Sequence, residues 1–214
     1  FFSVILLILV GTVFMTGPAG LLSSIKLFGI ENKNIWLAII IVYYFLATIM
    51  PVDKIIGRIY PLFGAALLIM AVGIGSTMVI KGYQIPEITL ASMHPKGLPL
   101  WPMLFVTIAC GAISGFHATQ SPMMARCITN EKYGRQVFYG AMIAEGIIAL
   151  IWAAAAMTFF HGIPGLNEAL GNGGAGAVVN AISKSLLGPV GGLLAILGVI
   201  ACPITSGDTA FRSA

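Results

Sequence analysis

Charged residues divide this chain into apolar runs of membrane length. Phe1–Ile25 is the first. Asn34–Val52 is the second, 19 residues between Lys33 and Asp53, and Ile59–Ile80 the third, 22 residues between Arg58 and Lys81. Gly97–Ala125 follows, uncharged unless His117 is protonated, then Gln136–Phe160, broken only by Glu145, and finally Ser185–Gly207. A helix needs about 20 apolar residues to cross the bilayer core. Isolated strands cannot satisfy their backbone in lipid, and a barrel would show ~10-residue alternating segments instead of these runs. The pattern predicts an all-α, polytopic membrane protein of about six transmembrane helices, one or two of them interrupted. The fourth run is too long for one crossing. Trp101–Phe116 fills one membrane thickness when nearly upright, so residues 117–136 are expected to form a re-entrant or polar loop. Pro122 sits where a helix restarts, since proline suits a first turn.

A short polar signature occurs twice at the ends of such runs. Residues 108–121 read IACGAISGFHATQS and residues 200–213 read IACPITSGDTAFRS, with seven identities in fourteen ungapped positions. Glycine, proline and hydroxyls at the end of a membrane-length run point to interrupted helices, whose freed backbone groups need protein or a polar cavity beside them. Paired interruptions are the sequence pointer to a transporter binding site. The plainer reading is two helix ends rich in small residues.

Composition agrees with the membrane assignment. Only 8% of residues are charged, 58% are hydrophobic, and mean hydropathy is +1.00. A soluble domain carries about 25% charged residues and could not hide this much apolar surface. The net charge of +4 comes from eleven scattered basic residues, which argues against nucleic-acid binding. Cys110, Cys127 and Cys202 have neither metal spacing nor an even count, so no metal, disulfide framework or other cofactor is expected. The chain begins inside an apolar run without a signal pattern, and reads as a portion of something longer.

Loop charges orient the spans. The second loop is the shortest and densest in Lys and Arg, so positive-inside logic places Asp53–Arg58, Glu131–Arg135 and Arg212 in the cytoplasm. Residues 161–187 read as a loop with one short helix: Pro164 and the cluster Gly171–Gly176 break structure. Ala175–Leu187 is then a surface amphipathic helix or a re-entrant half-helix, and Lys184 falls in the fifth loop. If this segment does not cross, the two signature windows enter the membrane in the same direction; if it does, they are inverted. The stretch Gly171–Gly176 matches GxGxxG, but no βαβ unit surrounds it, so no dinucleotide site is expected.

Candidate chemistry rests on polar groups at membrane depth, which are rare without purpose. His117 is a proton carrier or substrate ligand, or else a histidine at the headgroup level. Asp208 is a cation or proton site, or the N-cap of a helix beginning at Thr209. Glu145 lies about 12 Å into its span at 1.5 Å per residue; it carries a proton or pairs with a cation, or makes an internal hydrogen bond. Ser114, Thr119, Gln120, Ser121, Ser206 and Thr209 offer neutral hydrogen-bonding groups to a polar solute, or cap their own broken helices. Arg126 contributes bidentate pairing to a carboxylate or only anchors its span. Gly111 and Gly115 form a small-residue packing face. No catalytic triad or acid–base pair stands out, so the chain is not expected to be an enzyme.

Four blocks, MPVDKIIGRIYPLFG (50–64), IACGAISGFHATQSPMMARC (108–127), NEKYGRQVFYGAMIAEGIIALIW (130–152) and SGDTAFRSA (206–214), resemble the carbon starvation protein A (CstA) family. The resemblance spans nearly the whole chain. It implies a multi-pass inner-membrane protein of bacteria or archaea, tied to nutrient stress and to uptake of peptides or pyruvate. The expected function is an ion-coupled secondary transporter whose partners are the bilayer, a small carboxylate or peptide, and H+ or Na+. A membrane signalling or scaffold protein of nutrient stress is the alternative.

Overall fold

The structure is a computed structural model describing residues 2–49, 53–85, 87, 89–94, 96–111, 121 and 124–213, with side chains at all of these except 3, 24, 27, 48, 53–60, 107–111, 195, 196, 202, 212 and 213. The described residues are helices and turns. Among the described residues, these helices follow in order: α1 (Phe2–Ile25), α2 (Lys33–Ile49), α3 (Asp53–Ile80), α4 (Leu100–Gly111), α5 (Ala141–Phe159), α6 (Ile163–Ala195) and α7 (Ala201–Ser213), and residues 124–127 between α4 and α5 are helical too. One wide π-turn, Arg135–Gly140, leads into α5, and another, Ile196–Ile200, joins α6 to α7. Among the described residues, four stretches are long and apolar enough to cross a membrane: Val4–Ser23, Pro61–Ile80, Glu131–Phe159 and Ile163–Leu194. The protein is therefore a multi-pass helical membrane protein. Two of the six expected spans look different. α4 is described only to Gly111, and residues 112–120 lie outside the described set. The last run is divided by a break at Gly188, its first residues ending one helical arm and the rest forming the next.

The chain divides into two compact units, Phe1–Tyr83 with Glu168–Ala214, and Gln84–Asn167. In the first unit, α1 and α2 are joined by a tight turn with Lys26, Phe28 and Gly29 at positive φ. Lys26 Nζ meets Glu31 Oε1 at 2.7 Å across it. The hydrogen bond and opposite charge raise the lysine's pKa and lower the glutamate's, but both groups are exposed, so the pair contributes little to stability. On α2, Trp36, Ile40 and Tyr44 repeat every four residues and form one buried stripe. They join Ala19, Leu21 and Leu22 of α1 and Ile200 of the π-turn in a single core. The Trp36 indole N–H donates to the Ile30 carbonyl at 3.2 Å.

α7 packs on this core antiparallel to α1. The Phe211 ring sits over Gly11, and Gly207 meets Phe14 and Tyr44. Tyr44 also stacks obliquely on Phe211, with ring centroids 5.2 Å apart. A Cβ at Gly207 would collide with the Tyr44 hydroxyl and lie 2.8 Å from Cζ. Gly207→Ala is therefore expected to lower the melting temperature of the purified protein, by the ~1–3 kcal/mol typical of overpacking. Adding Tyr44→Phe should restore part of the loss; unchanged melting in the single variant would show that α7 does not sit this close.

α3 presents Ala66, Met70, Ile74 and Met78 as its buried stripe. Ser183 of α6 donates its hydroxyl to Met70 Sδ at 3.7 Å, and Leu187 fills the space above Gly73. Further along, Gly198 abuts the backbone of Leu67. These contacts show that α6 is not a straight rod. Continued straight, Gly198 would lie ~16 Å beyond Leu187 along the direction from Met70 to Gly73. Instead it lies back at Leu67, so the chain reverses. The reversal falls at Gly188, whose φ of 65° and ψ of −152° are open essentially to glycine alone. Pro189 follows at the first position of the returning helix, where proline is favoured. A second interruption, at Gly174 (φ 70°, ψ −178°), begins the ascending arm.

The result is a helical hairpin. Its short arm, Ala175–Leu187, is about 20 Å long at 1.5 Å per residue, too short for a ~30 Å core. Its long arm runs from Pro189 through the π-turn to Ser213. The expected short half-helix Ala175–Leu187 is the short arm of this hairpin, and the glycine cluster breaks at Gly174; the remainder of 161–187, expected as loop, is instead helical from Ile163, with Gly171 and Gly173 inside the helix. Tertiary packing overrides their weak helix propensity.

Candidate functional site

Polar side chains are rare inside the first unit. Asp208 is 3% exposed and Ser183 is fully buried. Asp208 lies within α7, seven residues past its start, so it is not the N-cap of a helix beginning at Thr209. The interruption expected within residues 200–213 lies upstream, at Gly188 and the Ile196–Ile200 π-turn. Such single π-turns are frequent at functional sites. Ser206 is half-buried, and the half-buried Thr209 donates back to the Thr205 carbonyl at 3.0 Å. This back-bonding uses the hydroxyl proton locally, within the helix. An apolar cleft of about 390 Å³, lined by Met15, Ile41, Tyr44, Phe45, Ile49 and Phe211, opens beside α7.

The second unit carries Glu145. The span Glu131–Phe159 is centred on it, and the residue is exposed. Its helix has two faces. Tyr139, Ile143, Ile147 and Leu150 are 47–71% exposed on one side. Glu145 points the other way, with Met142, Ile148 and Trp152, each half-buried, flanking it. In a bilayer the bulky apolar face suits lipid, while the carboxylate side needs protein or water, since a charge at the centre of a lone helix costs at least ~2.5–3.5 kcal/mol. Five residues earlier the Arg135–Gly140 π-turn ends. Two helical turns below Glu145 on the same side, Phe138 lines a cavity of about 330 Å³ together with Ala125, Ile128, Thr129, Asn130, Glu131 and Gly134. Ser121, Arg126 and Cys127 are exposed nearby in sequence. Ser114, His117, Thr119 and Gln120 lie outside the described residues, as do residues 122 and 123 of the expected re-entrant stretch 117–136; within the rest of that stretch, residues 124–127 are helical and residues from Glu131 onward belong to the apolar span Glu131–Phe159. Among the described residues, no group of His, Cys, Asp or Glu could hold a metal ion.

Two residues of the hairpin escape a reading of sequence alone. Lys184 reads as a loop charge because glycines precede it, yet it sits on the short arm beside Ser183, at the level of Met70, the midpoint of the apolar stretch of α3. Asn180, one turn earlier, has a buried side-chain oxygen without a hydrogen-bond partner. The Gly188-Pro189 pair was the available signal, because it marks a helix break followed by a restart.

The family model described as carbon starvation protein CstA matches residues 1–184. An uncharacterized membrane protein of Haemophilus influenzae is 40% identical over 222 aligned positions, covering 80% of this chain and 60% of that protein. The peptide transporter CstA of Campylobacter jejuni is 35% identical over 136 residues, 59% of this chain and 19% of its own length. The pyruvate/proton symporter BtsT of Escherichia coli is 42% identical over 71 residues, 30% of this chain and 10% of its own. The chain thus spans three-fifths or less of the length of these relatives. No solved structure matches.

Proposed function

Because this chain belongs to the carbon starvation protein CstA family, we propose that it serves in a secondary transporter that takes up a small carboxylate, a short peptide or pyruvate, in the bacterial or archaeal plasma membrane. The observation that carries the reading is the helix that doubles back at Gly188 beside α3. Discontinuous helices of this kind present half-helix ends and unpaired peptide groups to substrates and coupling ions. The relatives' names, peptide transporter and pyruvate/proton symporter, agree with it.

In this reading Glu145 carries the coupling proton. It is central in its span, exposed, and turned away from the lipid-suited face. Asp208, buried in α7, and His117 are the other candidates for the coupling ion. Ser206 and Thr209 of α7, with Ser114, Thr119, Gln120, Ser121 and Arg126, supply hydrogen bonds to the solute. The test is uptake of radiolabelled pyruvate and dialanine by vesicles carrying the full-length protein. Uptake above that of empty vesicles, collapsing when a protonophore removes the gradient, is the expected result. Uptake of neither solute would remove the transport reading, and gradient-independent uptake would remove the coupling.

A further inference from the structure

We propose that Lys184 and Asn180, on the short arm of the α6 hairpin, form the subsite that holds the carboxylate of the transported solute; this rests on the transport reading. Three observations lead to it. The arm is too short to cross the bilayer, and the packing of Ser183 on Met70 sets Lys184 level with the middle of the apolar stretch of α3. The four-methylene stem lies along Gly192 of the returning arm, whose missing side chain leaves room for it: a Cβ there would be 3.1 Å from Lys184 Cε. Lys184 is exposed, and among the described residues it has no carboxylate within ion-pair distance. A lysine in such a place needs water or an anion.

Asn180 is the second, independent observation. It precedes Lys184 by four residues, so the two side chains are neighbours on one helix face. Its side-chain oxygen is buried without a hydrogen-bond partner, although buried polar atoms are ordinarily paired. An amide and an ammonium one turn apart match a substrate that brings both a carboxylate and a nearby donor. The carboxylate accepts from Lys184, and an N–H or ammonium of a peptide donates to Asn180. The pair therefore favours short peptides over pyruvate, which has a carboxylate but no donor.

The experiment uses the full-length protein with its native cysteines replaced by serine and Ser185→Cys introduced, which puts a thiol at the exposed position beside Lys184 and leaves Lys184 in place. An anionic, membrane-impermeant methanethiosulfonate should label this cysteine in vesicles. Dialanine should slow the labelling, and dialanine amide, which lacks the carboxylate, should not. A cysteine that stays unlabelled, or is protected equally by both compounds, overturns the proposal. A second arm measures uptake. Lys184→Gln should raise the KM for dialanine about tenfold or more while Lys184→Arg keeps most of the affinity, and Asn180→Ala should raise the KM for dialanine more than that for pyruvate. Wild-type uptake with an unchanged KM in Lys184→Gln sinks the subsite alone. Absence of uptake in the wild type sinks the transport reading, and the labelling arm still decides whether Lys184 faces a water-filled, carboxylate-binding space.

Discussion

Gly191→Ala is expected to be among the most damaging single-methyl additions in the chain. In the hairpin, Gly191 lies against the turn that precedes the reversal: a Cβ there would strike the Ser183 carbonyl oxygen and approach Leu187 Cβ to 2.5 Å. The obstacle is backbone, so no rotamer change relieves it. Either the two arms separate or the Gly188 turn distorts, and both lift Ser183 from Met70 and Leu187 from Gly73. Overpacking of this kind costs ~1–3 kcal/mol and more where the neighbours cannot move. The measurement is thermal unfolding of the detergent-purified full-length protein, with Gly171→Ala as the control, because nothing lies within 4 Å of a Cβ at Gly171. Alanine is also the better helix former by about 1 kcal/mol, so the control should melt at or above the wild-type temperature. Equal melting of both variants would mean that the helix does not fold back at Gly188.

Glu145→Gln should abolish the pH dependence of uptake while leaving the amount of protein in the membrane unchanged. Glutamine keeps the size and hydrogen-bonding reach of the side chain but cannot bind or release a proton. It also removes the cost of placing a charge at the centre of Glu131–Phe159, so the variant should be no less stable than the wild type. The readout is initial uptake rate between pH 5 and 8 in vesicles, beside the quantity of protein inserted. A rate that still rises and falls with pH as in the wild type would take Glu145 out of the mechanism. A variant that fails to insert would assign it a structural role instead.

Several features were legible in the residues alone. Charges at Lys26, Lys33, Asp53, Lys81 and Glu131 fall close to the ends of α1, α2, α3 and the Glu131–Phe159 span. Apolar runs in lipid have few alternatives to helix. The polar residues Glu145 and Asp208 stood out because such groups are costly within those runs. The expected break in the 200–213 window was misplaced: Ser206–Thr209 is continuous helix, and the interruption lies at Gly188-Pro189, within an uncharged run where no charge flags a boundary. Lys184 was assigned to a loop for a related reason. Glycine-rich sequence ahead of it has weak local preference, and the helical state there depends on contacts of Gly176 with Leu21 and of Ser183 with Met70.

By itself, the order of residues determined the solvent this protein lives in, its helical class and its family, because burying apolar side chains and satisfying backbone hydrogen bonds in lipid are requirements local to each run. The direction of the chain after Leu187, the seating of Gly207 under Tyr44 and the placement of Lys184 along Gly192 were decided only in three dimensions. Each depends on which distant segment fills a gap left by glycine, and no periodicity within a single segment carries that information.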